Sequence, residues 1–243
     1  PGCIYHLSPD GSVSKEKVVD KEKRHCFFEV NYIGDVDSII FSLPVRVIRG
    51  KLGGRLAIEF SPEDADIVTY LPRCPEVAAM EYAKEVKVPF VPLFYKMRGE
   101  RSFQGSDLAA RVMSIFNNLH LLPGVEEIVR GKNIIVIDDS IVRGNNSRRA
   151  IKLLKEAGAA KIYFLSYTPP MCIIGEDGKP RGCEKGVDMP IFPPEGEEYI
   201  ARDRAIKEIG KIMGAEVGYL SVKGMLDVFA RHGLSPDNLC YFC

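Results

Sequence analysis

Apolar and polar positions run along this chain in blocks that alternate between strand-like and helix-like spacing. Residues 26–33 are aromatic and β-branched and predict a strand. Residues 43–60 place apolar positions at helical spacing, which predicts an amphipathic helix with Arg46, Arg49, Lys51 and Arg55 on its wet side. Next come a short predicted strand over 65–71 that ends at Pro72, a helix over 76–86 and a strand over 89–95. The clearest element is 133–137, where Ile134, Ile135, Val136 and Ile137 follow one another. Such a β-branched run predicts a strand buried on both faces, as in a parallel sheet. A helix over about 146–157 and a strand over 161–167 follow, which makes a strand–helix–strand unit with a parallel crossover. A helix over 197–213 and a short strand and helix over 217–232 complete the series. Two segments break the rhythm: the basic stretch 96–106 and the Gly/Pro-rich stretch 171–197. The second is long enough to predict a functional loop. The predicted class is α/β, doubly wound, with a central mostly parallel sheet flanked by helices.

Composition narrows this picture without changing it. The 243 residues are 46% hydrophobic and 27% charged, enough for one large core and incompatible with disorder as the main theme. Lys+Arg and Asp+Glu both number 33, so no overall field points to nucleic acid or to an anionic membrane. No run of roughly 18 apolar residues predicts a membrane span. Seven cysteines are an odd number in a chain too large to need disulfide staples, which predicts free or metal-bound thiols and a cytoplasmic protein. The chain opens Pro1-Gly2-Cys3 without a methionine, as a processed or partial protein would.

Most of the chemistry lies in 134–147. Ligands of open α/β sheets sit beyond the carboxyl ends of the strands, and Asp138 and Asp139 fall at that end of the most apolar strand. Neighbouring strand residues point to opposite sides, so the pair can reach two hydroxyls, or a hydroxyl and a metal. Arg143-Gly144-Asn145-Asn146-Ser147 then opens a helix, where glycine permits close approach and free N–H groups favour an anion. Carboxylates for a sugar beside amides for a phosphate describe a phosphorylated ribose. A Walker A loop is excluded, because no Gly-Lys-Ser/Thr follows, and the glycines of a dinucleotide fingerprint are missing.

Apolar residues, two acids and a small-residue loop resemble the phosphoribosyl pyrophosphate (PRPP) signature of type I phosphoribosyltransferases. The wording Asp-Asp-Ser-Ile-Val-Arg-Gly over 138–144 is similar to the glutamine PRPP amidotransferases, as are Val-Arg-Gly-Lys at 129–132, Glu-Ala-Gly-Ala at 156–159 and Gly-Val-Asp-Met-Pro at 186–190. The resemblance covers residues 26–243. It implies a type I phosphoribosyltransferase domain with a C-terminal helix and a Cys-x-x-Cys tail, preceded over 1–25 by a linker hairpin.

By that resemblance, Asp138 and Asp139 contact ribose hydroxyls and hold Mg²⁺, Gly144, Asn145, Asn146 and Ser147 cradle the 5′-phosphate, and Ser140 and Arg143 also bind PRPP. The family usually has Thr-Thr-Ser where this chain has Asn145-Asn146-Ser147. Lys96, Arg98 and Arg101 match its mobile loop over the leaving pyrophosphate and are the implied catalytic cations. Its pyrophosphate loop, usually Val-Pro-Asp/Glu-Ser/Thr, is here Leu71-Pro72-Arg73-Cys74. Arg73 can meet pyrophosphate directly, but a neutral thiol at Cys74 is a poor Mg²⁺ ligand.

Cys26, Cys183, Cys240 and Cys243 match the four ligands of a [4Fe–4S] cluster in the Bacillus type of this family. A free-thiol, disulfide or zinc reading of the same cysteines stays open. The implied reaction joins ammonia and PRPP into 5-phosphoribosylamine and pyrophosphate, at the entry to purine synthesis. The implied partners are a glutaminase domain or subunit, further copies of the chain, and purine nucleotides as inhibitors. The altered pyrophosphate loop equally suits a non-catalytic PRPP- or nucleotide-binding regulator.

Overall fold

The structure is a computed structural model that describes residues 2–97, 118–183 and 188–243. The sequence-predicted cations Arg98 and Arg101, and part of the 186–190 motif, lie outside the described residues. The chain opens on an antiparallel hairpin, β1 (Cys3–Leu7) and β2 (Val13–Lys17), whose side chains are almost all exposed. Then follow β3 (His25–Cys26), a π-helical turn (Glu29–Ile33), β4 (Ile39–Ile40), β5 (Leu43–Pro44), α1 (Val45–Glu59), β6 (Ile67–Tyr70) and α2 (Glu76–Val86). The second half brings β7 (Phe94–Lys96), β8 (Leu119–Leu121), α3 (Val125–Val129), β9 (Asn133–Asp138), α4 (Asn145–Glu156) and β10 (Lys161–Ser166). It ends with α5 (Ile206–Met213), β11 (Glu216–Tyr219), α6 (Val222–Arg231), a 3₁₀ turn (Pro236–Asn238) and β12 (Leu239–Cys240).

The central sheet has the order β11-β10-β9-β6, and every pairing in it is parallel. Its two faces follow from the pleat of β9. Ile135 and Ile137 pack with Leu52 and Leu56 of α1, Ala79 of α2 and Phe229 of α6. Ile134 and Val136 face the other way, onto Val129 of α3, Leu154 of α4 and Ile209 of α5. Residues Ile134 to Ile137 have no exposed surface at all, worth roughly 1.5–3 kcal/mol for each buried side chain. A sheet covered on both faces is what the unbroken β-branched run demands. On the first face α1 and α2 cross at Gly53, where an added Cβ would stand 2.0 Å from the Ala78 carbonyl oxygen, so only glycine permits this approach.

Four expectations are corrected by the structure. Residues 26–33 give a strand only at His25–Cys26. The rest turns into the π-helical segment, because the Val30 and Gly34 carbonyls are taken by a buried guanidinium instead of a neighbouring strand. That guanidinium belongs to Arg49, which is 1% exposed and not on the wet side of α1. Residues 89–95 pair with β6 only through Phe90, since Pro89 and Pro92 have no N–H to continue a ladder, and β7 forms later with β8. The helix predicted over 197–213 begins at Ile206. Arg202 spends its guanidinium on the carbonyls of Cys172, Arg181 and Ile191 and holds the preceding segment as a loop.

Candidate functional site

The site grows from the carboxyl end of β9. Asp138 is the last residue of that strand, and its carboxylate accepts the Asp139 N–H at 2.9 Å. The Asp139 carboxylate accepts the Ser140 hydroxyl at 2.8 Å. Beyond β10, Thr168 donates its hydroxyl to the Asp139 carbonyl at 2.6 Å, and Ser166 donates to the same oxygen at 3.3 Å. Two hydroxyls from the neighbouring strand thus fix the backbone that carries the acids, a support that sequence motifs did not show.

Both carboxylates are buried, at 6% and 8% exposure. Burial pushes Asp139 up to about 6, against the opposing pull of the Ser140 hydroxyl, Arg49 and Lys96. Burial, and then the Asp139 charge, hold Asp138 well above the ordinary carboxylate range. Adjacent acids under this strain call for hydroxyl donors and a cation. Mg²⁺ fits such hard oxygen donors, and it commonly takes only one or two carboxylates and completes its shell from phosphates and water.

The chain then turns into α4. Gly144 caps that helix at φ +75°, and a Cβ there would lie 2.9 Å from Ile200 Cδ1, so both conformation and space ask for glycine. No side chain caps the helix start, which leaves its first N–H groups available to an anion. Ser147 is buried, Asn145 accepts from Arg148 at 2.9 Å, and Asn146 faces a small cleft. Arg143 has a different task from the predicted PRPP contact. It donates to Glu197 at 2.5 Å and to the Asp188 carbonyl at 3.2 Å, and so ties the loop after β9 to 188–197. Sequence reading missed Glu197, which had been placed inside a helix.

The cleft is lined by Leu71, Pro72, Lys96, Leu119 and Asn146. It brings Lys96 and the 71–74 loop to the phosphate end of α4, three segments that the sequence analysis had linked only by resemblance. Arg73 is exposed in that loop. Cys74 donates its thiol to the Tyr32 carbonyl at 3.5 Å, and burial, reinforced by Asp139, pushes it up to about 11, so it is a neutral thiol at neutral pH.

Among the described residues no three metal-ligating side chains, the predicted cluster cysteines included, are grouped so that they could hold a metal ion. Cys240 stands opposite Cys26 in the parallel β3–β12 pair, and Cys183 bridges to Met189. Burial pushes Cys243 up to about 12, with Cys26, Cys183, Cys172 and Cys240 all adding to the effect. Cys172 donates its backbone N–H to the Cys243 carbonyl at 2.6 Å.

A doubly wound parallel sheet, paired acids at the end of its central strand and an open helix start beside them define the type I phosphoribosyltransferase fold. Solved structures agree. The glutamine PRPP amidotransferase of B. subtilis, solved with ADP and GMP, is 30% identical and superposes with a TM-score of 0.76 over 100% of this chain and 50% of its own. A structure described as the allosteric regulatory enzyme of purine biosynthesis is 31% identical with a TM-score of 0.78, again over 100% and 50%. In sequence, the chain is 34% identical to the amidophosphoribosyltransferase of Archaeoglobus fulgidus, over 96% of this chain and 48% of that protein. It is 32% identical to the Bacillus subtilis amidophosphoribosyltransferase, over 100% and 48%. The chain therefore spans about half the length of the relatives it matches. No protein-family model matches it.

Proposed function

We propose that this chain is the phosphoribosyltransferase part of an amidophosphoribosyltransferase, and that it transfers the phosphoribosyl group of PRPP to ammonia. The observation that carries this reading is the buried Asp138–Asp139 pair beside the uncapped start of α4. In this reading the N–H groups of residues 145–147 hold the 5′-phosphate, and the two carboxylates receive the ribose hydroxyls. Asp138 and Asp139 would also hold Mg²⁺, which when bound supplies positive charge against the leaving pyrophosphate. Lys96 meets the pyrophosphate from the cleft and Arg73 from the exposed 71–74 loop, with Arg98 and Arg101 as further proposed cations. A C–N bond forms at ribose C1 as the C–O bond to pyrophosphate breaks, and ammonia loses a proton. Positive charge on the sugar is the cost of that step, so the protein's task is to stabilise an anion that departs.

A glutaminase domain or subunit would supply ammonia, and purine nucleotides would compete for the site. The solved B. subtilis relative with ADP and GMP supports the second statement. We also propose assembly into homo-oligomers in the cytoplasm. No described helix is long and apolar enough to cross a membrane.

The direct test is pyrophosphate release from PRPP and Mg²⁺, on anaerobically prepared protein, with and without ammonium at about pH 8.5. Release that requires ammonium is the expected result. PRPP binding without release at any ammonium concentration would instead establish the non-catalytic PRPP-binding reading, which the neutral thiol at Cys74 favours.

Cys26, Cys183, Cys240 and Cys243 are the proposed ligands of a [4Fe–4S] cluster, held apart from the sugar site. The pairing of Cys240 opposite Cys26 in the β3–β12 ladder supports this, since such clusters are held by four cysteine thiolates. Anaerobically prepared protein is expected to contain iron and acid-labile sulfide in equal amounts, and replacing Cys240 and Cys243 by Ser to remove both. Preparations with neither element would end the cluster reading.

A further inference from the structure

Arg49 is the largest wholly buried side chain in the fold, and the proposed reaction leaves it without a role. On α1 it stands four residues after Val45 and three before Leu52, on the stripe that packs under the sheet. Its Nε donates to the Val30 carbonyl at 3.0 Å and one Nη to the Gly34 carbonyl at 2.7 Å. It forms no ion pair with any described carboxylate. A guanidinium stays charged under all ordinary conditions, and buried charge is costly unless something opposite compensates it.

The charges that this guanidinium faces belong to the candidate site. Its field acts on Asp139, on the Cys74 thiol and on the Tyr167 hydroxyl. Lys96 acts on the Cys74 thiol as well and lines the open cleft with Leu71 and Pro72. The π-helical turn that Arg49 holds is also the seat of the pyrophosphate loop, because the Tyr32 carbonyl of that turn accepts the Cys74 thiol. The same turn carries Asn31, fully buried, with neither side-chain amide atom bonded, and its carbonyl takes the Tyr167 hydroxyl at 2.6 Å. A hydrophobic core has no use for so much polarity. A site for a highly charged ligand does.

We infer that Arg49 is a positioning residue for the pyrophosphate half of the site, a buried positive charge beneath the 71–74 loop that compensates a polyanion bound above it. This rests on the PRPP reading. Where the usual acid of the pyrophosphate loop has become Arg73 and its hydroxyl Cys74, a charge under the loop offers part of the binding that direct ligation by a thiol cannot.

The test separates charge from hydrogen bonding. Arg49→Gln keeps a donor for one carbonyl and removes the charge, whereas Arg49→Lys keeps the charge and gives up the planar fork. Calorimetric titration with PRPP and with ribose 5-phosphate, both with Mg²⁺, reads the two halves of the site. For Arg49→Gln, PRPP is expected to bind about tenfold more weakly or worse, as one buried charge at effective protein dielectric implies, with ribose 5-phosphate changed less than about twofold. Arg49→Lys should hold PRPP within about threefold of the native protein, even if its melting temperature falls further than that of the Gln variant. Equal loss of both ligands in Arg49→Gln, or losses that follow melting temperature and not charge, would overturn the inference. If the native protein binds ribose 5-phosphate but not PRPP, the inference fails with the pyrophosphate site. If it binds neither, the PRPP reading itself has failed.

Discussion

Protein with Asp138→Asn and Asp139→Asn together is expected to lose PRPP affinity by at least about a hundredfold while the empty protein becomes more stable. Loss of binding follows from the removal of two charged acceptors from buried hydroxyl and cation contacts, each such bond worth roughly 1.5–3 kcal/mol. The gain in stability follows from linkage. Asp139 is pushed up to about 6 in the folded chain, against 3.8 for an unperturbed carboxyl. Between those values the folded state holds more protons than the unfolded one, so its stability falls as pH rises through the window. Above it the ionised Asp139 costs on the order of 3 kcal/mol, which Asn at 139 removes. Denaturant melts of native and variant protein at pH 5 and pH 7 check this. The native protein should lose stability across that interval and the variant should lose less, with Mg²⁺ and PRPP restoring only the native protein. Unchanged PRPP affinity would remove these carboxylates from the site.

Glu197→Ala is expected to be among the most damaging single changes in the chain, although Glu197 would touch no substrate. It leaves the Arg143 guanidinium, which is 12% exposed, without its closest acid, Glu197 itself being 4% exposed. Removal of one partner from a buried ion pair costs about 3–5 kcal/mol. Asp188, 3.7 Å from the other Nη, recovers a part of this. The pair joins the turn between Asp139 and Gly144 to the segment that carries Tyr199 and Ile200, so the phosphate end of the site should loosen with it. Thermal melts and titration with ribose 5-phosphate measure the two effects. Arg143→Met with Glu197→Leu should regain most of the stability, because an apolar pair of similar volume meets no desolvation cost. A Glu197→Ala protein as stable as the native one would show that Asp188 alone satisfies Arg143.

These residues also show how far sequence reading reached. The run Ile134 to Ile137, its two faces and the acids at its end were legible, because a parallel central strand has few alternative sequences and the acids follow it directly. The helix over 76–86 was legible too, and the structure stops it at a left-handed Lys87. Arg49 was assigned to water because charge usually means solvent. Its place on the stripe with Val45 and Leu52 was the signal that could have corrected this, yet only the carbonyls of Val30 and Gly34 explain why burial is tolerated. Arg143 resembled a PRPP ligand by position, and nothing local revealed Glu197 54 residues further on.

By itself, then, the sequence determined the elements whose stability is local or whose pattern leaves one choice: the buried β9 strand, the glycine at the start of α4, the adjacent acids and the alternation that makes the sheet doubly wound. Tertiary structure decided what depends on distant partners. It turned residues 29–33 away from a strand, ended the 89–91 pairing at a proline, brought Lys96 and Pro72 to the phosphate end of α4 and set Cys240 opposite Cys26. The division is physical. Periodicity and turn chemistry act over a few residues, whereas a buried charge or an unpaired carbonyl is satisfied by whichever group the fold delivers, and that group lies far away in the chain.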